Sequence, residues 1–330
     1  MDLALSRLGF GAAPIAGLYS AVDDDTAAAT VDAAWAAGIR YFDTAPHYGL
    51  GRSERLLGAA LAGRDRDSYV LSTKAGRLLV PVDGAAGSDD EGRFAVPASH
   101  RRLWDLSRDG IRRSLDESLQ RLGLDRVDLL YLHDPEDRMD EAMATALPAL
   151  AELRAEGAVR AVGVGSKDAA ALARLVREGD LDAVMVAGRY TLLEQPAQDA
   201  LFPACAERRV GVVAAAVFNS GLLATAEPGP DATYEYGAVP PPVLRRAREL
   251  AAVCAGHGVD LPRAALRFPL RHPLVSSAVV GMRSPAEVAE NAARLAEPVP
   301  SALWESLARR GLIPDEEPLL DDERGARVRR

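Results

Sequence analysis

A chain of 330 residues with 48% hydrophobic side chains has enough apolar matter for a sizeable core, and since single-domain barrels commonly run to about 250 residues or more, one domain is the simplest organisation. Its 39 basic and 48 acidic residues leave a formal charge of -9, which argues against a broad nucleic-acid surface but permits a small anionic cofactor held by local arginines and backbone N–H groups. Cys205 and Cys254 sit in helical patterns without a C-x-x-C or Cys/His cluster, so neither a disulfide framework nor a structural zinc site is indicated, and both read as buried free thiols.

The N-terminal Met-Asp-Leu-Ala-Leu-Ser-Arg lacks a charged segment followed by an apolar one, and no run approaches a membrane span; a cytoplasmic protein with no membrane partner is the default expectation. Leu8-Gly-Phe-Gly-Ala-Ala-Pro14 suits a first strand and a close-approach loop. It does not suit a Rossmann pyrophosphate turn, because Pro14 and Gly17 intervene before the helix that starts at Asp23 and ends near Gly38.

Arg40 to Gly58 reads as a βα unit. Asp43 ends the strand, His47 and Tyr48 lie in the connection, and Ser53-Glu54 opens a helix whose Leu56, Leu57 and Leu61 share a face. Taken alone, this segment equally fits a loop in which Asp43 caps a turn and Tyr48 packs. Leu71 to Lys74 is the next strand. The span from Ala75 to Ser107, rich in Gly, Pro, Asp and Ser, reads as a long connection: either a substrate-facing loop with Trp104 as an apolar wall, or a solvent-exposed insertion.

A helix follows over Ser107–Gly123, then the strand Val127–His133. The alternation continues with helices near Glu141–Glu156, Ala169–Glu178, Ala197–Arg208, Val243–Cys254 and from Pro285, and with strands at Val159–Gly165, Ala183–Val186, Val210–Ala215 and Ser276–Val280. Strand ends near Gly11, Asp43, Lys74, His133, Gly165, Val186, Ala215 and Val280 make eight units, which predicts an α/β fold of the (β/α)8 TIM-barrel type over residues 1–313. An extra helix near Pro262–Leu270 and a terminal one at Leu303–Arg310 complete it, and 314–330 reads as a flexible tail.

The wording Asp43-Thr-Ala-Pro-His-Tyr48-Gly, with Ser53-Glu54 and Gly58 behind it, resembles the aldo-keto reductase family. The resemblance implies a catalytic tetrad of Asp43, Tyr48, Lys74 and His133 and a nicotinamide dinucleotide, NAD or NADP. A free tyrosine titrates near ~10, so Tyr48 needs an ammonium beside it to exchange protons; Lys74 would supply it, Asp43 would keep Lys74 charged, and His133 would bind the substrate oxygen. That chemistry needs no metal. By the same resemblance, cofactor contacts fall on Ser166, Arg189, Phe218, Asn219, Ser220, Gly221, Leu223, Gly281, Arg283, Glu287 and Asn291, and substrate contacts on His47, Trp104 and Asp134. Two positions depart from the family pattern: Gly188 replaces a common Gln and Ala215 a common aromatic, which leaves the nicotinamide-stacking surface to Phe218 or Tyr190.

Val186-Ala-Gly-Arg-Tyr-Thr-Leu-Leu-Glu-Gln195, Phe218-Asn-Ser-Gly-Leu-Leu223 and His133-Asp-Pro135 resemble the branch containing L-fucose, D-threo-aldose, L-galactose and pyridoxal dehydrogenases. This implies oxidation of the C1 hemiacetal of an aldose to a lactone. The alternatives are a pyridoxal 4-dehydrogenase, a general aldehyde reductase, a non-catalytic binding subunit on the same barrel, or a Schiff-base aldolase using Lys74. NAD is expected over NADP, because Gly281 and Glu287 stand where NADP-preferring relatives place cations around the 2′-phosphate, with Arg283 as the opposing charge.

Overall fold

The computed structural model describes residues 3–83, 87–89 and 93–314. Eight strands close into a barrel: β1 (Leu8–Gly11), β2 (Tyr41–Asp43), β3 (Val70–Ala75), β4 (Leu129–His133), β5 (Ala161–Ser166), β6 (Ala183–Ala187), β7 (Gly211–Ala215) and β8 (Val275–Gly281). Every neighbouring pair is parallel, and β1 closes onto β8 with Leu8 opposite Ala278. The eight-unit (β/α)8 expectation is therefore met. Residues 315–330, which hold nearly all of the expected tail, lie outside the described part.

Alternation along the strands builds two cores from one set of apolar runs. Tyr41, Leu129, Tyr131, Ala161, Ala183, Met185, Val213 and Val279 point into the barrel, where Leu3 closes the floor. Phe42, Leu71, Leu130, Leu132, Val162, Val164, Val184 and Val212 point outward, against the helical ring. That ring comprises α1 (Asp24–Ala36), α2 (Arg52–Leu61), α3 (Arg108–Leu122), α4 (Leu147–Ala155), α5 (Ala169–Glu178), α6 (Ala197–Arg208), α7 (Pro241–Gly256) and α8 (Pro285–Ala296).

Local chemistry sets the helix ends. Asp23 caps α1 by accepting from Thr26 N at 2.8 Å, and Ser107 caps α3 by accepting from Gly110 N at 3.0 Å. Gly123, at φ 65°, terminates α3 in the left-handed conformation. Helices α2 and α3 cross so closely that a Cβ on Gly58 would lie 1.9 Å from Leu122 O. Cys205 and Cys254 are buried free thiols, each pushed up to about 12 by burial. No helix among the described residues is long and apolar enough to cross a membrane.

The span after β3 departs from a plain loop. Arg77–Pro81 pairs antiparallel with His100–Trp104, and Ser88–Asp89 pairs with Phe94–Pro97. The insertion also reaches the β1 connection, with Ala95 N on Gly17 O at 2.9 Å and Tyr19 N on Arg93 O at 3.0 Å. A third small hairpin, Thr233–Tyr234 with Gly237–Ala238, follows β7.

Candidate active site

The inward parity that fills the barrel floor also aims three polar side chains upward. On β2, Tyr41 is followed two residues later by Asp43; on β3, Val70 leads through Ser72 to Lys74; on β4, Tyr131 leads to His133. Register then aligns them, with Asp43 opposite Ser72, Lys74 opposite Tyr131 and His133 opposite Gly165. Gly165 lies beside the Lys74 side chain: a Cβ there would be in ordinary contact, 3.7 Å from Met185 Cβ and 3.9 Å from Lys74 Cε. These strand ends form the C-terminal face of the barrel, where loops and strand termini meet.

Lys74 Nζ donates to Asp43 Oδ2 at 2.7 Å and to Thr44 O at 2.9 Å, and lies 4.7 Å from the centre of the Tyr48 ring. Ser72 Oγ donates to the other oxygen, Asp43 Oδ1, at 2.7 Å. Beneath them the Tyr41 hydroxyl lies 3.1 Å from Ser72 Oγ and 3.3 Å from the Tyr131 hydroxyl, so the layer under the site is hydrogen-bonded throughout. The His133 ring stands edge-on to Tyr48, with centroids 5.8 Å apart. All four residues of the expected tetrad come together.

Burial and neighbouring charge set the protonation states. Burial alone would lower Lys74, but Asp43 and Tyr48 outweigh it and the ammonium is held above its usual value. Burial raises Tyr48 while Lys74 pulls it back, with a net rise. His133 is held well below the usual imidazole range by burial, then by Arg77 and Lys74, so it is neutral at ordinary pH. His47 is lowered by burial and by Arg102 and Arg77.

Two of the three expected substrate contacts adjoin the tetrad. His47 stands edge-on to His133 at 5.7 Å. Asp134 takes a left-handed backbone conformation at φ 45°, which turns its Oδ2 back to 3.5 Å from His133 Nε2. Trp104 lies further out, under the Arg77 guanidinium. Phe94, from the insertion, closes over both His47 and Tyr48 with centroids 6.1 Å away in each case.

The expected dinucleotide contacts divide. Asn219 is buried with its Oδ1 unpaired among the described residues, while its Nδ2 donates to Glu194 Oε1 at 3.1 Å. Gly221, at φ 95°, has open space where a Cβ would be, and nothing lies closer than 3.9 Å to one on Gly188. The room at these two glycines and the orphaned buried amide oxygen, an acceptor, fit a dinucleotide carboxamide. Phe218 and Ser220 are half-buried in the same loop. Gly281 ends β8 against Gly11, and Asn291 is buried and accepts from Arg294 Nη1 at 3.2 Å.

Other expected positions already have partners within the protein. Arg189 does not stand free for a phosphate, because Glu194 at 3.2 Å and Glu235 at 2.7 Å pair with it, and it also donates to Lys167 O at 3.1 Å; it ties the third hairpin down. Leu223 is fully buried, which leaves only its backbone to offer. Tyr190 is no stacking surface: it packs on Phe202 and Phe268, with centroids at 4.5 and 5.4 Å, inside the helical layer. Ser166 Oγ donates to Glu136 Oε2 at 2.8 Å and accepts from Asp168 N at 2.9 Å, so one lone pair remains. Glu287 Oε2 accepts from Arg283 N at 2.9 Å, and its Oε1 pairs with Arg283 Nε at 3.3 Å.

The residues missed in sequence are Arg77, Arg102, Glu136 and Glu194. Their one local signal was position: Arg77 follows the catalytic strand after a single glycine, and Glu136 lies three residues beyond His133.

The chain matches the aldo/keto reductase family model over residues 7–309 and belongs to that family. It is 55% identical to the D-threo-aldose 1-dehydrogenase of a Pseudomonas species, over 94% of this chain and 96% of that protein. It is 37% identical to the pyridoxal 4-dehydrogenase of Microbacterium luteolum, over 94% and 95%. Among solved structures, the holo form of an aldo-keto reductase from Bacillus halodurans superposes with a TM-score of 0.72 at 26% identity, covering 93% of each chain. The protein is an oxidoreductase of this family.

Proposed function

We propose that this aldo-keto reductase oxidises a cyclic aldose at its hemiacetal carbon, C1, to the lactone, with NAD as the preferred acceptor. The observation that carries the reading is the Lys74 ammonium held 2.7 Å from Asp43 and beside the Tyr48 ring, under a mouth lined by His133 and Asp134. The likeness to an enzyme named as an aldose 1-dehydrogenase supports the substrate class.

Bound nicotinamide would supply the two-electron acceptor for the hydride that leaves C1. Asn219 would accept from its carboxamide and the missing side chains at Gly188 and Gly221 would let it lie close to the backbone, with Ser166 contributing its remaining lone pair. Tyr48, as phenolate, takes the C1 hydroxyl proton while the C1–O bond becomes a carbonyl. Lys74 stabilises the phenolate, and Asp43 fixes Lys74. Neutral His133 donates from Nε2 to the same oxygen and so orients C1. Asp134, half-exposed next to it, accepts from sugar hydroxyls.

The preference for NAD rests on Glu287. Its carboxylate already engages Arg283, whose Nη1 also donates to Ser20 Oγ at 3.2 Å; a 2′-phosphate would have to displace the carboxylate, whereas a 2′-hydroxyl can donate to it.

The test follows NADH and NADPH formation across aldoses, pyridoxal and simple aldehydes. Oxidation of aldoses with NAD is expected. Oxidation of pyridoxal alone would replace the substrate class, reduction of aldehydes alone would make the protein a reductase in use, and silence across the panel would favour a binding subunit.

A further inference from the structure

His47, Trp104 and Asp134 all meet one side chain outside the expected site. Arg77 opens the insertion two residues past the end of β3. Its Nη1 faces His47 Nδ1 at 3.3 Å, its Nη2 donates to Asp134 Oδ2 at 2.8 Å, and its guanidinium lies 4.5 Å from the centre of the Trp104 ring. The side chain is 15% exposed. We propose that Arg77 is a positioning residue for His133: it fixes the carboxylate beside His133 Nε2 and the adjacent His47 ring, and it bars a second positive charge from the His133 imidazole.

A guanidinium only donates, so its contact makes His47 Nδ1 the acceptor and leaves the His47 proton on Nε2. The Asp134 turn works in the same direction, since the left-handed backbone brings one oxygen, Oδ2, within reach of both Arg77 and His133.

Charge balance supplies the rest. The cations facing His133 come from β3 (Lys74) and from the two paired insertion strands (Arg77 and Arg102). Each has its own carboxylate: Asp43 at 2.7 Å, Asp134 at 2.8 Å and Asp89 at 2.5 Å, respectively. The remaining titratable neighbours, His47 and Tyr48 from the β2–α2 connection, are both held neutral. A protonated His133 would therefore be a fourth cation, left to share Asp134 with Arg77, which holds the same oxygen more closely. A neutral ring keeps its Nε2–H for the substrate oxygen.

This inference rests on the proposed role of His133, but its principal test needs no substrate. The His133 imidazole is followed by carbon-13 NMR from pH 5 to 9 in the full-length protein, with its signal assigned by loss in His133→Gln. Wild type is expected not to titrate. In Arg77→Gln, which removes the cation that lowers it most while burial still holds the ring down, His133 should begin to titrate at the acid end of the range, and kcat/KM should fall more at pH 6 than at pH 9. Arg77→Lys, which keeps the charge but not the fork, should leave His133 neutral and lower kcat several-fold. An Arg77→Gln enzyme whose His133 stays silent and whose pH profile is unchanged overturns the proposal. If Arg77→Gln does not fold, Arg77→Lys decides: a titrating His133, or an unaltered kcat, overturns it. Failure to oxidise any sugar would instead count against the proposed substrate while leaving the titration result standing.

Discussion

Lys74 Nζ lies 2.7 Å from Asp43 Oδ2, with side-chain exposures of 2% and 4%. A buried ion pair is a weak source of net stability, because desolvating both charges offsets most of their attraction; removing one partner is what costs, at about 3–5 kcal/mol. The pair therefore makes better sense as a device that keeps an ammonium fixed beside Tyr48 than as a staple of the barrel.

Tyr48→Phe removes the proton acceptor and leaves the loops after β5 to β8 untouched. Turnover should fall by about 10²–10⁴-fold, while dinucleotide binding, read by fluorescence, stays near wild type. Near-normal turnover would remove Tyr48 from the mechanism.

The pH dependence follows from the raised Tyr48 phenol. Oxidation needs the phenolate, so kcat/KM should climb toward alkaline pH, and the reverse reduction should decline through the same group. Lys74 lowers the phenol against the effect of burial; in Lys74→Met the climb should move to higher pH, with a lower plateau. Superimposable profiles for the two enzymes would show that Lys74 does not tune Tyr48.

The insertion after β3 is held by Arg102, which bonds both Asp89 oxygens, at 2.7 and 2.5 Å, and His47 O at 3.1 Å. Asp89→Asn takes the counter-charge from a guanidinium with 4% exposure. A lower melting temperature, a higher KM for sugar, an altered ranking of sugars and an unchanged dinucleotide Kd are expected. Weakened dinucleotide affinity with the sugar ranking unmoved would assign the insertion to the cofactor side.

Glu287→Arg should shift the kcat/KM ratio toward NADP by roughly tenfold or more, equivalent to about 1.4 kcal/mol, by replacing the Arg283 partner with a second cation. A wild type that already prefers NADP would sink the NAD assignment. An unchanged ratio in the variant would take Glu287 out of the explanation and leave its bond to Arg283 N as a helix-start contact alone.

Much of the architecture was legible in the chain because barrel strands and their helices are read from local periodicity. The stretch Arg40 to Gly58 carries strand, turn and helix start within one βα unit, and Lys74 and His133 each end an apolar run two residues after another inward-facing position. The insertion was harder. Its strands are short and mostly without a clean apolar alternation, as in Arg77–Pro81 and His100–Trp104, so a Gly- and Pro-rich span that pairs with itself looked like open loop.

The surroundings of the cofactor side were least legible in the sequence, for a physical reason seen in three residues. Arg189, Ser166 and Tyr190 have the right chemistry for a dinucleotide. Which partner each one takes depends on what the closed barrel brings near, and Glu235, Glu136 and Phe202 reach them first.

By itself the sequence determined the order of strands and helices, the inward parity of Asp43, Lys74 and His133, and hence the face on which they gather, since each depends on spacing within a few residues. Only the tertiary structure decided that Arg77 would meet Asp134, 57 residues away, and that His47 would accept from the same guanidinium. Such contacts require β3, its insertion and the turn after β4 to be fixed together by closure of the barrel, and no local pattern in a chain records where a long cationic side chain will find its carboxylate.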